Sequence, residues 1–247
     1  KESGADCVKF QLFKADEIYP ETAGPAKYLG DSESVHSKLK RYELPEKWIP
    51  ELYALCEKLD IMFACTPFFI DAVDILKQYV KFWKIASYES NWTELIKKCW
   101  DTGLPLIIST GGSTDADISI LYEFLSDLPE WNERSCPRAI LLHCTSAYPT
   151  PLSEISINSL HQVADSLDVY GLSDHTEHPF IAPCAAVTHG AKVIEKHFTL
   201  SKLLPSPDAK FALEPAQFAK MVVNIRLTET ALGIYSRVIQ PSEVELS

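Results

Sequence analysis

The chain has 247 residues, 46% of them hydrophobic, and a formal net charge of −11 at neutral pH. An acidic chain without a run of lysines and arginines argues against a nucleic-acid partner or an anionic membrane surface. No stretch approaches the roughly 20 apolar residues of a spanning helix, so an anionic ligand would have to be gathered by a local pocket of donors.

In chain order, short apolar runs alternate with helical patterns. The first run, Cys7–Phe13, reads as a strand. A long connection, Lys14–Glu43, follows it with Pro20, Gly24, Pro25 and Gly30. So long a connection is unusual in a compact domain unless functional, and its place after a strand suggests an active-site loop. Leu44–Leu59 reads as a helix with Pro45 in its first turn and apolar residues at Trp48, Leu52, Leu55, Cys56 and Leu59. Strands are expected over Ile61–Phe68, Phe82–Ser87, Leu104–Thr110, Ala139–Ser146, Asp168–Asp174 and Lys192–Leu200. Between them, Asn91 with Glu94 and Thr114 with Asp117 resemble capping boxes. Glu214–Leu232 reads as a long helix that stops at Gly233.

Runs such as LPLIIST and AILLHC are apolar at successive positions, as in strands buried on both faces of a parallel sheet. Strand-helix alternation makes this an α/β chain of βα units. Seven strands are visible where a closed (β/α)8 TIM barrel needs eight. The opening KESGAD resembles the tail of a helix, so a barrel lacking its first βα unit is expected over residues 1–240. A true seven-stranded open sheet is the rival. The seven cysteines (Cys7, Cys56, Cys65, Cys99, Cys136, Cys144 and Cys184) are odd in number and form no CxxC. With no secretory signal visible, they read as buried thiols of a reducing cytoplasm.

Every run ends in hydroxyls or charges, and in a barrel those ends converge on one mouth. Lys9 and Lys84 lie inside apolar strands, where lysine is rarely buried unpaired. With Thr66, Ser87, Ser109 and Ser173 they form a set suited to a phosphate and a carboxylate; for each lysine alone, an interior ion pair is the plainer reading. No P-loop or GxGxxG is present, which speaks against a nucleotide. His175 and His197 end the last two runs and suit a transition metal with water and substrate oxygens completing its shell. The plainer alternative for either is a hydrogen-bonded core histidine, the role expected of His143 and His189. Glu195 precedes His197 by two residues and points the same way on a strand.

The ordered segments VKFQ, TPF, KIAS, STG, LLHCTSAYPTP, SDHT and IEKHFTL, with the tail PSPDAKFALEP, resemble the barrel domain of the sialic acid (N-acetylneuraminate) synthase family from Gly4 to about Gly233. The resemblance implies a (β/α)8 barrel, manganese (or magnesium or cobalt), and condensation of phosphoenolpyruvate with N-acetylmannosamine or a related N-acylated amino sugar. Lys9, Thr66, Lys84, Ser87, Ser109 and Ser173 would then bind phosphoenolpyruvate. Gln11, Glu89, Tyr148 and Asp208 would face the sugar, and His175 and His197 would bind the metal. The implied catalytic set is Glu195, which would stabilise positive character at C2, with Lys9 and Lys84. A homodimer is implied for the full-length protein.

The chain departs from the family in four places. Set against the family pattern, the chain is expected to lack the first strand with its catalytic glutamate and the C-terminal antifreeze-like domain with its sugar-binding arginine. Ser146 stands where some members have Asn, and PSPD replaces PGPD. The amino sugar stays open between N-acetylmannosamine and diacetylated bacillosamine-type sugars. Two rivals remain. A keto-octulosonate- or heptulosonate-phosphate type synthase would need a second basic cluster, yet none of the five arginines ends a predicted strand. A non-catalytic ligand-binding barrel fragment fits the missing strand but not the retained lysines and histidines.

Overall fold

A computed structural model describes residues 1–25, 33–129, 131, 138–164, 167, 169–233 and 238–244. All seven expected strands are present and slightly shorter: β1 Cys7–Leu12, β2 Met62–Pro67, β3 Trp83–Ile85, β4 Leu106–Ser109, β5 Ala139–Cys144, β6 Tyr170–Asp174 and β7 Val193–Lys196. Asp168, the expected start of the sixth strand, and Cys136 lie outside the described residues. Every ladder is parallel, β1 with β2 and then β3 through β7 in sequence order. β2 lies beside β3, giving a curved parallel part-barrel. Among the described residues no ladder joins β7 to β1.

Strand pleat sorts the side chains. Trp83 and Ile85 join Leu106, Ile108 and Leu141 in the main core, with Leu95, Ile96, Trp100, Leu121 and Leu125 from the covering helices. Lys84, between Trp83 and Ile85, points the other way, into the barrel. Those helices are α5 Thr93–Trp100 and α6 Asp115–Ser126. Arg138, at the start of β5, lies flat on the Trp100 ring at 3.7 Å and donates to the Trp100 carbonyl. It sits at the end of the barrel opposite the strand tips. The other described arginines lie in or beside helices rather than at strand tips: Arg41 caps the short helix Val35–Lys40, and Arg226 lies in Pro215–Leu232.

Three local expectations need correction. The Lys14–Glu43 connection is not without structure: it carries α1 Ala15–Ile18 and α2 Val35–Lys40. Its turns are tied together, with the Asp16 carboxylate meeting His36 at 2.7 Å and Lys40 at 2.6 Å. The Leu44–Leu59 segment opens as a 3-10 turn at Glu46–Trp48, and α3 proper is Ile49–Lys58 with Pro50 in its first turn. Its packed stripe is Ile49, Leu52, Tyr53 and Cys56; Trp48, Leu55 and Leu59 are about half exposed. The core contact thus uses one i, i+3, i+4, i+7 row, one step off the predicted face. Finally, α5 begins after Trp92, whose side chain packs against the core, so Asn91 lies outside the helix and no side chain caps it. Thr114 and Asp117 do form the expected capping box at α6.

The remaining helices are α4 Ile70–Leu76, α7 Leu160–Ala164, α8 Ile181–Thr188, α9 Pro215–Leu232 and α10 Pro241–Val244. α9 ends at Gly233 as expected. Among the described residues no helix is long and apolar enough to cross a membrane.

Candidate active site

Strand register builds the site in rows. Cys144, Ser173 and Glu195 are ladder partners across β5, β6 and β7, so their side chains lie in one transverse layer. Lys84 on β3 reaches this layer from the far side, its Nζ 3.7 Å from Glu195 Oε2, while Lys9 on β1 stands 3.5 Å from Oε1. The Glu195 carboxylate is therefore held between two ammonium groups brought from distant strands. Burial pushes its carboxyl up, but Lys84, Lys9 and the two nearby histidines outweigh it and hold the group at about 2. Lys84 is almost wholly buried. It donates to Ser109 Oγ and to the Ile85 carbonyl, each at 2.7 Å. Burial pulls its ammonium below the usual lysine range, with Glu195 opposing.

The hydroxyls lie close around this centre. Ser87 Oγ accepts from the Gly111 amide at 3.0 Å and donates to Cys144 Sγ at 3.5 Å. Burial raises the Cys144 thiol. Thr66 sits opposite Gln11 in the β1–β2 ladder. Its hydroxyl is buried without a protein partner, as are Ser146 Oγ and one carboxylate oxygen of Glu89. Three such atoms at strand tips are groups a polar ligand would satisfy. Burial raises the Glu89 carboxyl.

The histidines form the second half of the mouth. The rings of His175 and His197 lie 5.2 Å apart, centroid to centroid, and Tyr148 packs over His175 at 4.2 Å. His175 Nδ1 is 2.9 Å from the Thr145 carbonyl. After β7 the chain loops round to an isolated parallel bridge between Phe198 and Leu213, closed by the bonds Leu213 N–H to His197 O (2.9 Å) and Thr199 N–H to Leu213 O (3.0 Å). This loop sets Asp208 Oδ2 3.3 Å from His197 Nδ1. Burial raises the Asp208 carboxyl, yet the contact with His197 overrides it and the net shift is downward. The Tyr148 hydroxyl is pushed up, chiefly by burial. His143 bonds to the Ile155 carbonyl, as expected, whereas His189 meets His161 in an exposed contact rather than in the core.

Each site histidine thus has one ring nitrogen engaged by a carbonyl or carboxylate and the other not so assigned, which is how metal-binding imidazoles are oriented. Among the described residues no three His, Cys, Asp or Glu are grouped so as to hold a metal ion. A cation at the mouth would have only these two imidazoles as its protein ligands, with water or substrate oxygens completing its shell. Burial, with His197 beside it, lowers the His175 imidazole to about 4, so it keeps its lone pair below the usual imidazole range near 6.5.

That shift has a stability consequence. Between pH 6.5 and 4 the unfolded chain binds a proton at this histidine that the folded chain does not. Stability should therefore fall on acidification, by about 2 kcal/mol at pH 5 relative to pH 7. Glu195 acts in the same direction, but only below its unfolded value of 4.5. Urea melts at pH 7 and pH 5 check this; a His175→Gln variant should lose most of the difference.

The structure brings Lys9, Lys84, Glu195, Ser109, Ser173 and Ser87 to one centre and Tyr148, His175, His197 and Asp208 to its rim. Gln11, Thr66 and Glu89 line the same strand tips. Reading the sequence missed Cys144, which only strand register places in the layer, and Gly111. A Cβ at Gly111 would stand 2.3 Å from Ser146 Oγ and 2.9 Å from both Cys144 Sγ and Ser87 Oγ. The STGG tip supplies the signal for it: glycine where neighbouring side chains approach the backbone too closely for a Cβ.

Fold and site together define an α/β protein whose parallel part-barrel carries a charge-paired mouth at its strand tips. The chain belongs to the NeuB family, whose model matches residues 1–237. It is 38% identical over 235 residues to the spore coat polysaccharide biosynthesis protein SpsE of Bacillus subtilis, covering 94% of this chain and 61% of that protein. It is 36% identical over 252 residues to the N,N'-diacetyllegionaminic acid synthase of Legionella pneumophila, covering all of this chain and 69% of that one. Among solved structures it resembles the N-acetylneuraminic acid (sialic acid) synthetase of Leptospira borgpetersenii in complex with citrate. There the TM-score is 0.85 at 27% identity, with 99% of this chain and 80% of the other covered. The chain thus spans about 61% of the length of SpsE.

Proposed function

We propose that the protein to which this chain belongs condenses phosphoenolpyruvate with an N-acylated amino sugar, N-acetylmannosamine or a diacetylated bacillosamine-type sugar, giving a nonulosonic acid and phosphate. The observation that carries the reading is the Glu195 carboxylate set between Lys9 and Lys84, beside a pair of histidines with oriented rings. The names of the relatives support it. An eighth strand, supplied between β7 and β1, completes the barrel in this reading, and the protein acts as a cytoplasmic homodimer.

Phosphoenolpyruvate lies with its anionic groups on Lys9, Lys84, Ser87, Ser109, Ser173 and the unpartnered Thr66 hydroxyl, through charge-assisted bonds. The sugar lies over Tyr148 with Gln11, Glu89 and Asp208 around it. His175 and His197 would hold a divalent cation, manganese, which supplies Lewis acidity toward the sugar's aldehyde oxygen. C3 of phosphoenolpyruvate attacks the aldehyde carbon and forms the new C–C bond. Positive character develops at C2, where the Glu195 carboxylate, kept ionised by its lysines, stabilises it. Water adds at C2, the C2–O bond to phosphate breaks, and the proton balance closes on the new hydroxyl and phosphate. Holding both substrates in one geometry removes much of the entropic barrier.

The test is phosphate release from phosphoenolpyruvate by the full-length protein, with manganese and each sugar in turn. Release that needs both sugar and metal supports the reading. Turnover only with a phosphorylated sugar would move it to the keto-octulosonate class, and phosphoenolpyruvate binding without turnover to the ligand-binding alternative.

A further inference from the structure

One buried charge pair has no part in the chemistry above. Lys196 Nζ meets Asp174 Oδ2 at 2.6 Å, with the two side chains 1% and 0% exposed. Asp174 and Lys196 are the last ladder partners of β6 and β7. The next residue on each strand is a site histidine, His175 or His197. By strand alternation the pair faces away from Ser173 and Glu195, so it does not line the mouth.

Its bonds are arranged around the backbone of the β6 tip. Asp174 Oδ1 accepts from the Thr176 amide at 2.8 Å, and Oδ2 from the Thr176 hydroxyl at 3.2 Å. Lys196 donates to the Thr176 carbonyl. The residues on both sides of His175 are thus tied to β7 where the main-chain ladder has ended. A buried ion pair contributes little net stability compared with apolar residues of similar size. What it supplies here is a fixed spacing between the two strand tips.

We propose that Asp174 and Lys196 are positioning residues for the two-histidine site. They hold the tips of β6 and β7 so that His175 and His197 can share one cation. The inference rests on the reading of these histidines as cation ligands.

The experiment titrates manganese into the full-length protein, following free ion by electron paramagnetic resonance, and measures phosphoenolpyruvate binding separately by calorimetry. In the double variant Asp174→Leu/Lys196→Met, apolar residues replace the pair. Its manganese Kd should rise roughly 10- to 100-fold, as for outer partners of metal ligands, while phosphoenolpyruvate affinity stays within about twofold. Asp174→Asn, which keeps an acceptor for the Thr176 amide, should show a smaller loss in the same direction and serves if the double variant does not fold. Unchanged manganese affinity in a folded variant overturns the proposal. So does a parallel loss of manganese and phosphoenolpyruvate binding, or failure of both variants to fold, since either marks a pair that merely supports the barrel. A His175→Ala/His197→Ala control separates the two levels: if it still binds manganese tightly, the two-histidine reading itself falls, and the positioning role with it.

Discussion

Replacing Lys84 with alanine should weaken phosphoenolpyruvate binding by about 2–4 kcal/mol, or roughly 30- to 1,000-fold, because it removes one partner of a buried, hydrogen-bonded charge pair. Three contacts are lost together: the donors to Ser109 Oγ and the Ile85 carbonyl, and the ion pair with Glu195. The Glu195 carboxyl should rise, since Lys84 is the strongest of the groups that hold it down. The pH profile of turnover should therefore lose its acid limb at a higher pH than in the wild type. Sugar affinity, carried by residues at the rim, should change much less. Calorimetry with each substrate separately checks the split, and equal losses for both would count against an anion site centred on Lys84. Lys84→Met, which keeps the stem and drops the charge, separates the charge effect from a cavity effect.

The lysine was legible because it lies inside an apolar run, where an ammonium needs a partner. Ser109 and Ser173 stood out as hydroxyls at strand ends, and Glu195 by its two-residue spacing from His197. What stayed hidden depends on register between strands, which no single segment encodes. Asp174 and Lys196 read as two more polar residues at strand tips until the β6–β7 ladder set them opposite each other. Cys144 read as a core thiol until the β5–β6 ladder set it beside Ser173. Asp208 reaches His197 only because the chain after β7 loops round to the bridge between Phe198 and Leu213. The local errors have a similar origin: packing of Trp92 overrode the capping propensity of Asn91, and the stripe of α3 was fixed by what it packs against, not by its most apolar face.

Gly171 is the position where a single methyl group should do most damage to the fold. It is flanked by Leu142 on β5 and Val193 on β7 as ladder partners. A Cβ there would stand 2.1 Å from the Val193 carbonyl oxygen and 2.8 Å from Leu142 Cδ2. The first contact is with backbone, which no rotamer change relieves, so β7 must move away from β6. Overpacking of this kind costs about 3 kcal/mol or more. For a domain of this size each kcal/mol corresponds to roughly 2–4 °C, so Gly171→Ala should lower Tm by roughly 6–12 °C. Because β7 carries Glu195 and leads into His197, substrate and cation binding should fall in whatever fraction stays folded. Gly111→Ala is the control: its close contacts are the tips of Ser146, Cys144 and Ser87, which can turn aside. That variant should keep its Tm within a few degrees while losing phosphoenolpyruvate affinity. Calorimetric melts of the two variants, read beside the wild type, distinguish a glycine that spaces the barrel from one that leaves room for a ligand. A Gly171→Ala protein that melts like the wild type would show that β7 is free to shift at this row.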